Sequence, residues 1–370
     1  MKKRVDFRRN RQQPSRLKRW IHDGQDAERL EDAATSETVR SKGDLSRKRT
    51  VTDASAESKE GGLEAREGMV VAVRGQFVEV DDGERVWPCT VRRILRTRLI
   101  RERSPVVVGD RVRFGIVSEA EGVLNEGVIE QVRDRGTVLQ RCDGRRTHMI
   151  AANVEQVLII SSLPEPMLKP HLIDRFLVAA HAGNLPAMIC LNKADLIMEG
   201  EAEAVVERYR KLGYAAWTSS VVTGAGVDEL RARLAGRLTI LTGQSGVGKS
   251  SLLNAVQPRL MLKTGKVSAS TEKGRHTTTT AVLYKLEMGG GVIDTPGIRA
   301  LDVAMVPLHE LEMHFVEFVD RVAGCKFADC VHIHEQGCAI RTAVEEGEID
   351  PDRYASYVEL FEELSAARQR

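Results

Sequence analysis

The sequence lacks any apolar run that approaches the roughly 18 residues needed for a membrane-spanning helix. It also lacks the apolar segment of a secretory signal near its N-terminus. A strong charge imbalance is missing as well, because 55 Lys and Arg residues face 53 Asp and Glu residues, for a net charge of +2. The first two absences argue against an integral membrane protein and a secreted one, whereas the balanced charge says little about partners. We expect a soluble cytoplasmic monomer that makes no membrane contact.

Cysteine is scarce, with six residues in a chain of 370. Without a secretory signal, so few cysteines indicate free thiols or metal ligands rather than a disulfide framework. They are Cys89, Cys142, Cys190, Cys325, Cys330 and Cys338. The length of the chain predicts two to three domains.

Residues 1–66 are polar and contain few large apolar side chains, which predicts a disordered extension. The first 20 residues carry nine Lys or Arg against one acidic residue. Such a basic arm is typical of segments that contact a nucleic-acid phosphate backbone. A solvated tail explains the same composition, and the sequence leaves both interpretations open.

Residues 67–140 carry short apolar runs separated by turn residues, including Asp81-Asp82-Gly83. About five short strands in this length predict a small β-barrel of the OB-fold type, whose face often binds nucleic acid. One connection is rich in arginine and is a candidate for RNA contact, with a solvated loop as the alternative. Its basic residues are Arg92, Arg93, Arg96, Arg98, Arg101 and Arg103.

Strands and helices alternate over residues 150–303, which predicts a parallel sheet with helices on both faces. Within this region an apolar run, Leu238 to Leu241, precedes the spacing G-x-x-x-x-G-K-S. Such a loop cradles phosphates with its backbone N–H groups, places Lys249 at the outer phosphates and offers the Ser250 hydroxyl to Mg²⁺. The predicted nucleotide-binding residues are Gly243, Gln244, Ser245, Gly246, Val247, Gly248, Lys249, Ser250 and Ser251.

A second nucleotide signal, Asn192-Lys193-Ala194-Asp195, follows the predicted strand Pro186–Leu191. The Asp195 carboxylate is suited to accept hydrogen bonds from guanine N1–H and its 2-amino group, which adenine lacks. Asn192 is expected to tie this loop to the phosphate loop, and the Lys193 stem to cover the base. The turn at Ser219, Ser220 and Val221 is a weaker candidate for a backbone N–H that meets guanine O6.

Two segments after the phosphate loop are predicted to sense the γ-phosphate. Thr277 to Thr280 offer a threonine, and Asp294-Thr295-Pro296-Gly297 offer a Mg²⁺ carboxylate at Asp294 and an N–H at Gly297. In an ordinary GTPase the phosphate loop precedes N-K-x-D. Here the order is reversed, which predicts a circularly permuted GTPase domain.

Residues 304–370 contain the pattern Cys325-x4-Cys330-x-His332-x5-Cys338. Three thiols and an imidazole suit one closed, structural Zn²⁺ site per chain. His334 is a competing ligand that the spacing does not exclude. Apolar periodicity around the cluster predicts a mainly helical domain.

The combined motifs resemble the RsgA (YjeQ) family of bacterial GTPases over about residues 68–365. The match rests on N-K-A-D before G-Q-S-G-V-G-K-S-S, then G-R-H-T-T-T, D-T-P-G-I and C-x4-C-x-H-x5-C. The resemblance implies an OB-fold, a permuted GTPase domain and a C-terminal zinc domain. It further implies late maturation of the small ribosomal subunit, contact with its rRNA, and GTP hydrolysis stimulated by that subunit.

Ile298 occupies the position after the D-x-x-G glycine where many GTPases carry a water-orienting glutamine. We therefore expect slow intrinsic hydrolysis and assistance from another group. By resemblance that group is His276, with Lys249 and Thr278 completing the predicted catalytic set. A loop histidine that contacts rRNA or solvent is the alternative.

These motifs support a GTPase that leaves the subunit after hydrolysis. Two other hypotheses stay open at this stage. One is an rRNA-binding assembly module that uses GTP only as a binding switch. The other is a phosphate-loop ATPase in which N-K-x-D occurs by chance.

Overall fold

The computed structural model forms two units, Met1–Leu63 and Glu64–Arg370, which we describe separately. The described residues are 2–6, 35–42, 46–53, 65–75, 77–92, 95, 106–117, 126–143, 146–198, 200–262, 281–294 and 303–368.

The first unit contains an antiparallel sheet in the order β1-β3-β2. Its strands are β1 (Lys2–Asp6), β2 (Thr35–Lys42) and β3 (Ser46–Asp53). These strands differ from the disordered extension that the polar composition predicts. The other residues of this unit lie outside the described ones, so the role of the basic arm stays a prediction.

The second unit begins with a closed five-stranded barrel. Its strands are β4 (Ala65–Arg74), β5 (Phe77–Asp81), β6 (Val86–Val91), β7 (Arg111–Val117) and β8 (Glu126–Val132). They pair in the order β4-β5-β6-β8-β7, and β7 returns to β4 to close the barrel. The β6–β8 pair is parallel and the other pairs are antiparallel. This topology confirms the predicted OB-fold.

Alternating side chains of these strands fill the barrel, as a pleated strand requires. Trp87 is almost fully buried, and its Nε1–H donates to Asp82 Oδ2 at 2.7 Å. Burial raises the pKa of Asp82, but hydrogen bonds from Arg85 N–H, Arg66 and Trp87 outweigh it and hold that pKa well below its ordinary value. The polar turn predicted at Asp81 to Gly83 therefore also anchors the largest core side chain.

A hairpin that was not predicted follows the barrel, with strands β9 (Val138–Asp143) and β10 (Arg146–Ala152). Val108, which precedes β7, forms an isolated bridge to Ala151 in this hairpin. Fully buried Asp110 joins the two parts, since Arg135 Nε donates to its Oδ1 at 2.6 Å.

The following α/β domain contains a six-stranded sheet in the order β13-β12-β11-β14-β16-β15. The first five strands are parallel and β15 is antiparallel to β16. The strands are β11 (Gln156–Ser162), β12 (Ala187–Asn192), β13 (Ala215–Thr218), β14 (Leu238–Thr242), β15 (Val282–Lys285) and β16 (Gly291–Asp294). The helices are α1 (Pro170–Ala182), α2 (Glu201–Lys211), α3 (Val227–Leu234) and α4 (Lys249–Val256).

Two apolar clusters lie in this domain, as expected for a parallel sheet covered by helices on both faces. Strand β15 also meets the barrel, where Val282 pairs with Ala72 and Lys285 Nζ lies 2.6 Å from Asp81 Oδ1. The barrel is therefore attached to the sheet at the strand that precedes β16.

The C-terminal domain is mainly helical, as predicted. It contains the 3₁₀ segments Val303–Met305, Leu308–His314 and Val322–Gly324, and helices α5 (Val316–Val319), α6 (Ala339–Glu345) and α7 (Pro351–Arg368). Helix α7 packs against α1 through a buried ion network, in which Arg353 NH1 donates to Asp174 Oδ1 at 2.7 Å. Among the described helices, none is both long and apolar enough to cross a membrane.

Candidate functional site: a nucleotide pocket and a thiol cluster

The phosphate loop connects β14 to α4. All five residues of β14 are buried, so the strand holds the start of the loop rigidly. The loop then turns through three glycines with positive φ, namely 138° at Gly243, 86° at Gly246 and 93° at Gly248. Because L-residues rarely adopt such angles, glycine is required to bend the backbone into the cradle.

Close packing imposes a second requirement on two of these glycines. A Cβ on Gly243 would lie 2.0 Å from the Ile160 carbonyl oxygen of β11. A Cβ on Gly248 would lie 2.4 Å from Asn192 Nδ2. The glycines therefore let the phosphate loop approach both the central strand and the N-K-A-D loop.

Lys249 begins α4 and folds back over its own loop. Its Nζ donates to the carbonyl oxygens of Gly243 at 2.8 Å and Gln244 at 3.0 Å. Burial lowers the pKa of Lys249, and the charge of Asp294 opposes this shift. Burial conversely raises the pKa of Asp294, and Lys249 opposes that. The predicted phosphate lysine and Mg²⁺ carboxylate thus lie within electrostatic reach of each other.

Sheet register explains how Asp294 reaches this place. Asp294 ends β16 and pairs with Leu241 of the parallel neighbour β14. Ser250 and Ser251, which are half-buried, stand in the first turn of α4 at the same edge of the sheet. A hydroxyl and a carboxylate are hard oxygen donors, so the residues present fit a Mg²⁺ ion that accompanies a nucleotide.

The guanine motif lies beside the phosphate loop although 55 positions of sequence separate Asn192 from Val247. Asn192 Nδ2 donates to the carbonyl oxygen of Val247 at 2.8 Å, as the sequence predicted for Asn192. The contact forms because β11 is hydrogen-bonded to both β12 and β14, and parallel strands end at a common edge. Lys193 has a left-handed φ of 64°, and its Nζ donates to the Glu165 carbonyl oxygen at 2.5 Å.

Two serines after β13 hydrogen-bond residues of the guanine motif. Ser220 Oγ donates to Asp195 Oδ1 at 2.6 Å and so orients the carboxylate. The Ser220 N–H itself donates to the Ala225 carbonyl oxygen, so the backbone role predicted for this turn stays a prediction for Val221. The sequence suggested only a backbone role for Ser219, which is fully buried, yet its Oγ donates to Asn192 Oδ1 at 3.2 Å.

The four predicted metal ligands converge in the C-terminal domain. The ligand atoms of Cys325, Cys330, His332 and Cys338 all lie within 4.8 Å of one another. His334, the competing ligand, lies outside this group and is 79% exposed.

The electrostatics of this thiol cluster favour a cation. Burial, together with the neighbouring Cys338 and Cys325, raises the pKa of Cys330 to about 12. Burial also raises the pKa of Cys338. Three crowded thiols and one imidazole form the donor set that Zn²⁺ prefers, since bound metal stabilises thiolates that otherwise repel each other.

Known proteins with this arrangement identify the family. A sequence profile for the RsgA GTPase matches residues 132–304. A protein of Moorella thermoacetica named small ribosomal subunit biogenesis GTPase RsgA is 41% identical over 304 residues, covering 82% of this chain and 99% of the relative. The chain belongs to the RsgA family. A Chlorobaculum parvum RsgA is 40% identical over 311 residues, covering 81% of this chain and 99% of the relative.

Solved structures of RsgA-like proteins agree with this fold. The crystal structure of YjeQ from Thermotoga maritima is 37% identical, covers 81% of this chain and 98% of its own, and superposes with a TM-score of 0.65. YloQ, described as a circularly permuted GTPase, is 29% identical, covers 84% and 98% of the two chains, and gives a TM-score of 0.62. The predicted permuted GTPase fold is therefore confirmed.

Several predicted RsgA site residues lie outside the described ones. They are His276, Thr278 and Gly297, and all the predicted barrel arginines except Arg92. Arg92 follows the last residue of β6 and is exposed, and its NH1 lies 3.7 Å from Glu130 Oε1. The roles assigned to these residues stay predictions.

Proposed function

We propose that this chain is a GTPase that binds the small ribosomal subunit and assists its late maturation. In this proposal the subunit stimulates hydrolysis of GTP, and the resulting GDP form leaves the subunit. Support comes from the family membership and from the name that the RsgA relatives carry.

The hydrogen bond from Asn192 to the Val247 carbonyl oxygen is the observation that carries the proposal. It links a guanine-recognition loop to a phosphate loop across the permuted sequence. With Ser220 holding Asp195, the pocket presents a carboxylate that accepts from guanine. Adenine offers no such donors, so the Asp195 carboxylate would have no partner on that base and the pocket would disfavour ATP.

The chain's own residues divide the work of phosphoryl transfer by position. Backbone N–H groups of Gly243 to Ser251 bind the phosphates, and Lys249 leaves its loop carbonyls to neutralise the outer ones. Ser250, Asp294 and one threonine of Thr277 to Thr280 are the residues that would hold Mg²⁺, which supplies charge neutralisation on the phosphates when bound. Gly297 N–H contacts the γ-phosphate in this scheme.

Ile298 stands where many GTPases carry a water-orienting glutamine, and its side chain cannot orient a water molecule. We therefore assign that catalytic role to His276. Docking on the subunit would activate hydrolysis by fixing the loop that carries His276. The domains on either side of the GTPase domain bind other partners. The barrel at 67–140 contacts rRNA, and residues 304–370 hold one structural zinc ion. The GTPase domain spans 150–303, and the protein acts as a monomer in the cytoplasm.

The decisive experiment measures GTP hydrolysis alone, with small subunits, and with large subunits as control. We expect stimulation by the small subunit only. Binding assays with GTP and ATP test which base the pocket prefers. Asp195→Asn should weaken the binding of GTP and favour the binding of a xanthine nucleotide. A preference for ATP, or equal turnover with and without small subunits, would contradict the proposal.

The role of His276 has its own test. His276→Ala should abolish most of the stimulated hydrolysis while GTP-dependent binding to the subunit persists. Unchanged stimulated turnover would exclude His276 as the catalytic residue and leave GTP as a binding switch.

A further inference from the structure

Glu312 lies outside the four thiol-cluster residues but contacts one of them. It stands in the 3₁₀ segment Leu308–His314, and its Oε2 lies 2.6 Å from His332 Nε2. The opposite ring nitrogen of His332, Nδ1, lies 3.5 Å from Cys325 Sγ and 3.4 Å from Cys338 Sγ. The imidazole is therefore held between a carboxylate on one side and thiols on the other.

This arrangement selects one tautomer of the ring. A neutral imidazole carries a single N–H, and an ionised carboxylate only accepts hydrogen bonds. The proton of His332 consequently belongs on Nε2, where it donates to Glu312. The lone pair of Nδ1 then points toward Cys325 and Cys338, as a metal ligand requires.

The backbone of His332 is held by other groups. Its φ of 62° is left-handed, and Tyr354 OH of α7 donates to its carbonyl oxygen at 2.7 Å. Tyr357 OH donates to the Val331 carbonyl oxygen at 3.0 Å. Since α7 already fixes the path of the chain, the contribution of Glu312 is the rotation and tautomer of the ring.

We propose that Glu312 is a positioning residue for the metal site, which holds His332 as the Nε2–H tautomer and makes Nδ1 the ligand atom. The proposal rests on the proposed zinc site. A carboxylate in this position aligns the imidazole and fixes which ring nitrogen carries the proton. Glu312 itself is not a ligand, because its carboxylate faces the far side of the ring.

Metal affinity provides the first test, with Zn²⁺ titrated against a competing chelator. Glu312→Ala should weaken Zn²⁺ binding about 10- to 100-fold, the range found when such outer partners are removed. Glu312→Gln keeps a hydrogen-bond acceptor without the charge, so its loss should be smaller. The matched control is Glu310→Gln in the same 3₁₀ segment, whose partner is the neighbouring His309 at 3.5 Å. It removes the same charge and should leave the affinity unchanged.

Nitrogen-15 NMR of the zinc-loaded protein tests the tautomer directly. The expected spectrum has metal on Nδ1 and a proton on Nε2 of His332 in the wild type and in Glu312→Gln. Metal on Nε2, or equal Zn²⁺ affinity for wild type and both Glu312 variants, would overturn the proposal. A wild-type chain that binds no Zn²⁺ would instead refute the zinc site itself, and this role of Glu312 with it. The readout in Glu312→Gln covers the case in which Glu312→Ala fails to fold.

Discussion

Replacing Arg353 by methionine should strongly destabilise the junction between the GTPase and C-terminal domains. The guanidinium is 1% exposed and joins two carboxylates from different elements. Its NH1 donates to Asp174 of α1 at 2.7 Å, and its Nε donates to Glu317 of α5 at 2.7 Å. Its NH2 also donates to Glu317, at 3.1 Å from Oε2.

The size of the effect follows from what remains after the substitution. Asp174 would keep its hydrogen bonds from Ser356 Oγ at 2.6 Å and Tyr209 OH at 3.0 Å, but Glu317 would lose both bonds from the guanidinium. Both carboxylates would then be buried without a counter-ion. Removing one partner of a buried ion pair costs about 3 to 5 kcal/mol. We expect a loss of this size in the free energy of unfolding.

Urea unfolding followed by circular dichroism and tryptophan fluorescence measures the loss, at fixed zinc and nucleotide concentrations. The control is Glu363→Gln, which removes an exposed ion pair with Arg175 between the same two helices, α7 and α1. Exposed pairs contribute about 0 to 1 kcal/mol, so this variant should stay close to wild type.

A combined variant separates lost charge compensation from lost packing. Adding Asp174→Asn and Glu317→Gln to Arg353→Met removes the stranded charges and should recover part of the lost stability. The reasoning is refuted if Arg353→Met costs less than about 1 kcal/mol, or if the combined variant is less stable than Arg353→Met alone.

Three further perturbations test the pocket and the barrel. Ser219→Ala removes the hydrogen bond that orients Asn192, and calorimetry should show GTP binding weakened about fivefold, or about 1 kcal/mol; unchanged affinity would refute this role. Gly243→Ala places a methyl group against the Ile160 carbonyl oxygen, so both the melting temperature and nucleotide affinity should fall; equal values would contradict the packing argument. Asp82→Asn should destabilise the barrel at neutral pH. Because the folded-state pKa of Asp82 is depressed, its advantage over the variant should persist above about pH 4 and shrink below it, which melting curves across pH will measure.

Short local patterns in the sequence specify much of this protein. The spacing from Gly243 to Ser250 and the run Asn192 to Asp195 carry their chemistry within a few residues. A strand and a turn then suffice to present them. Apolar alternation likewise predicted the barrel and the parallel sheet, because it records which face of each element is buried. The reversed motif order alone indicated the permutation.

Other features were undetermined by the sequence because they join residues far apart in the chain. Spacing left His332 and His334 as rival ligands, and the left-handed turn held by α7 brought His332 alone into the cluster. The hairpin of β9 and β10 was missed, since its strands mix polar and apolar residues without a clear alternation.

The sequence by itself determined the barrel, the alternating strands and helices of the GTPase domain, and the short motifs proposed to bind phosphate, guanine and metal, since these depend on neighbours in the chain. Tertiary structure alone decided that Ser219 supports Asn192, that Glu312 holds His332 and that Arg353 meets Asp174. Such pairs depend on strand register and helix packing, which bring specific side chains within hydrogen-bonding distance only once the whole chain has folded.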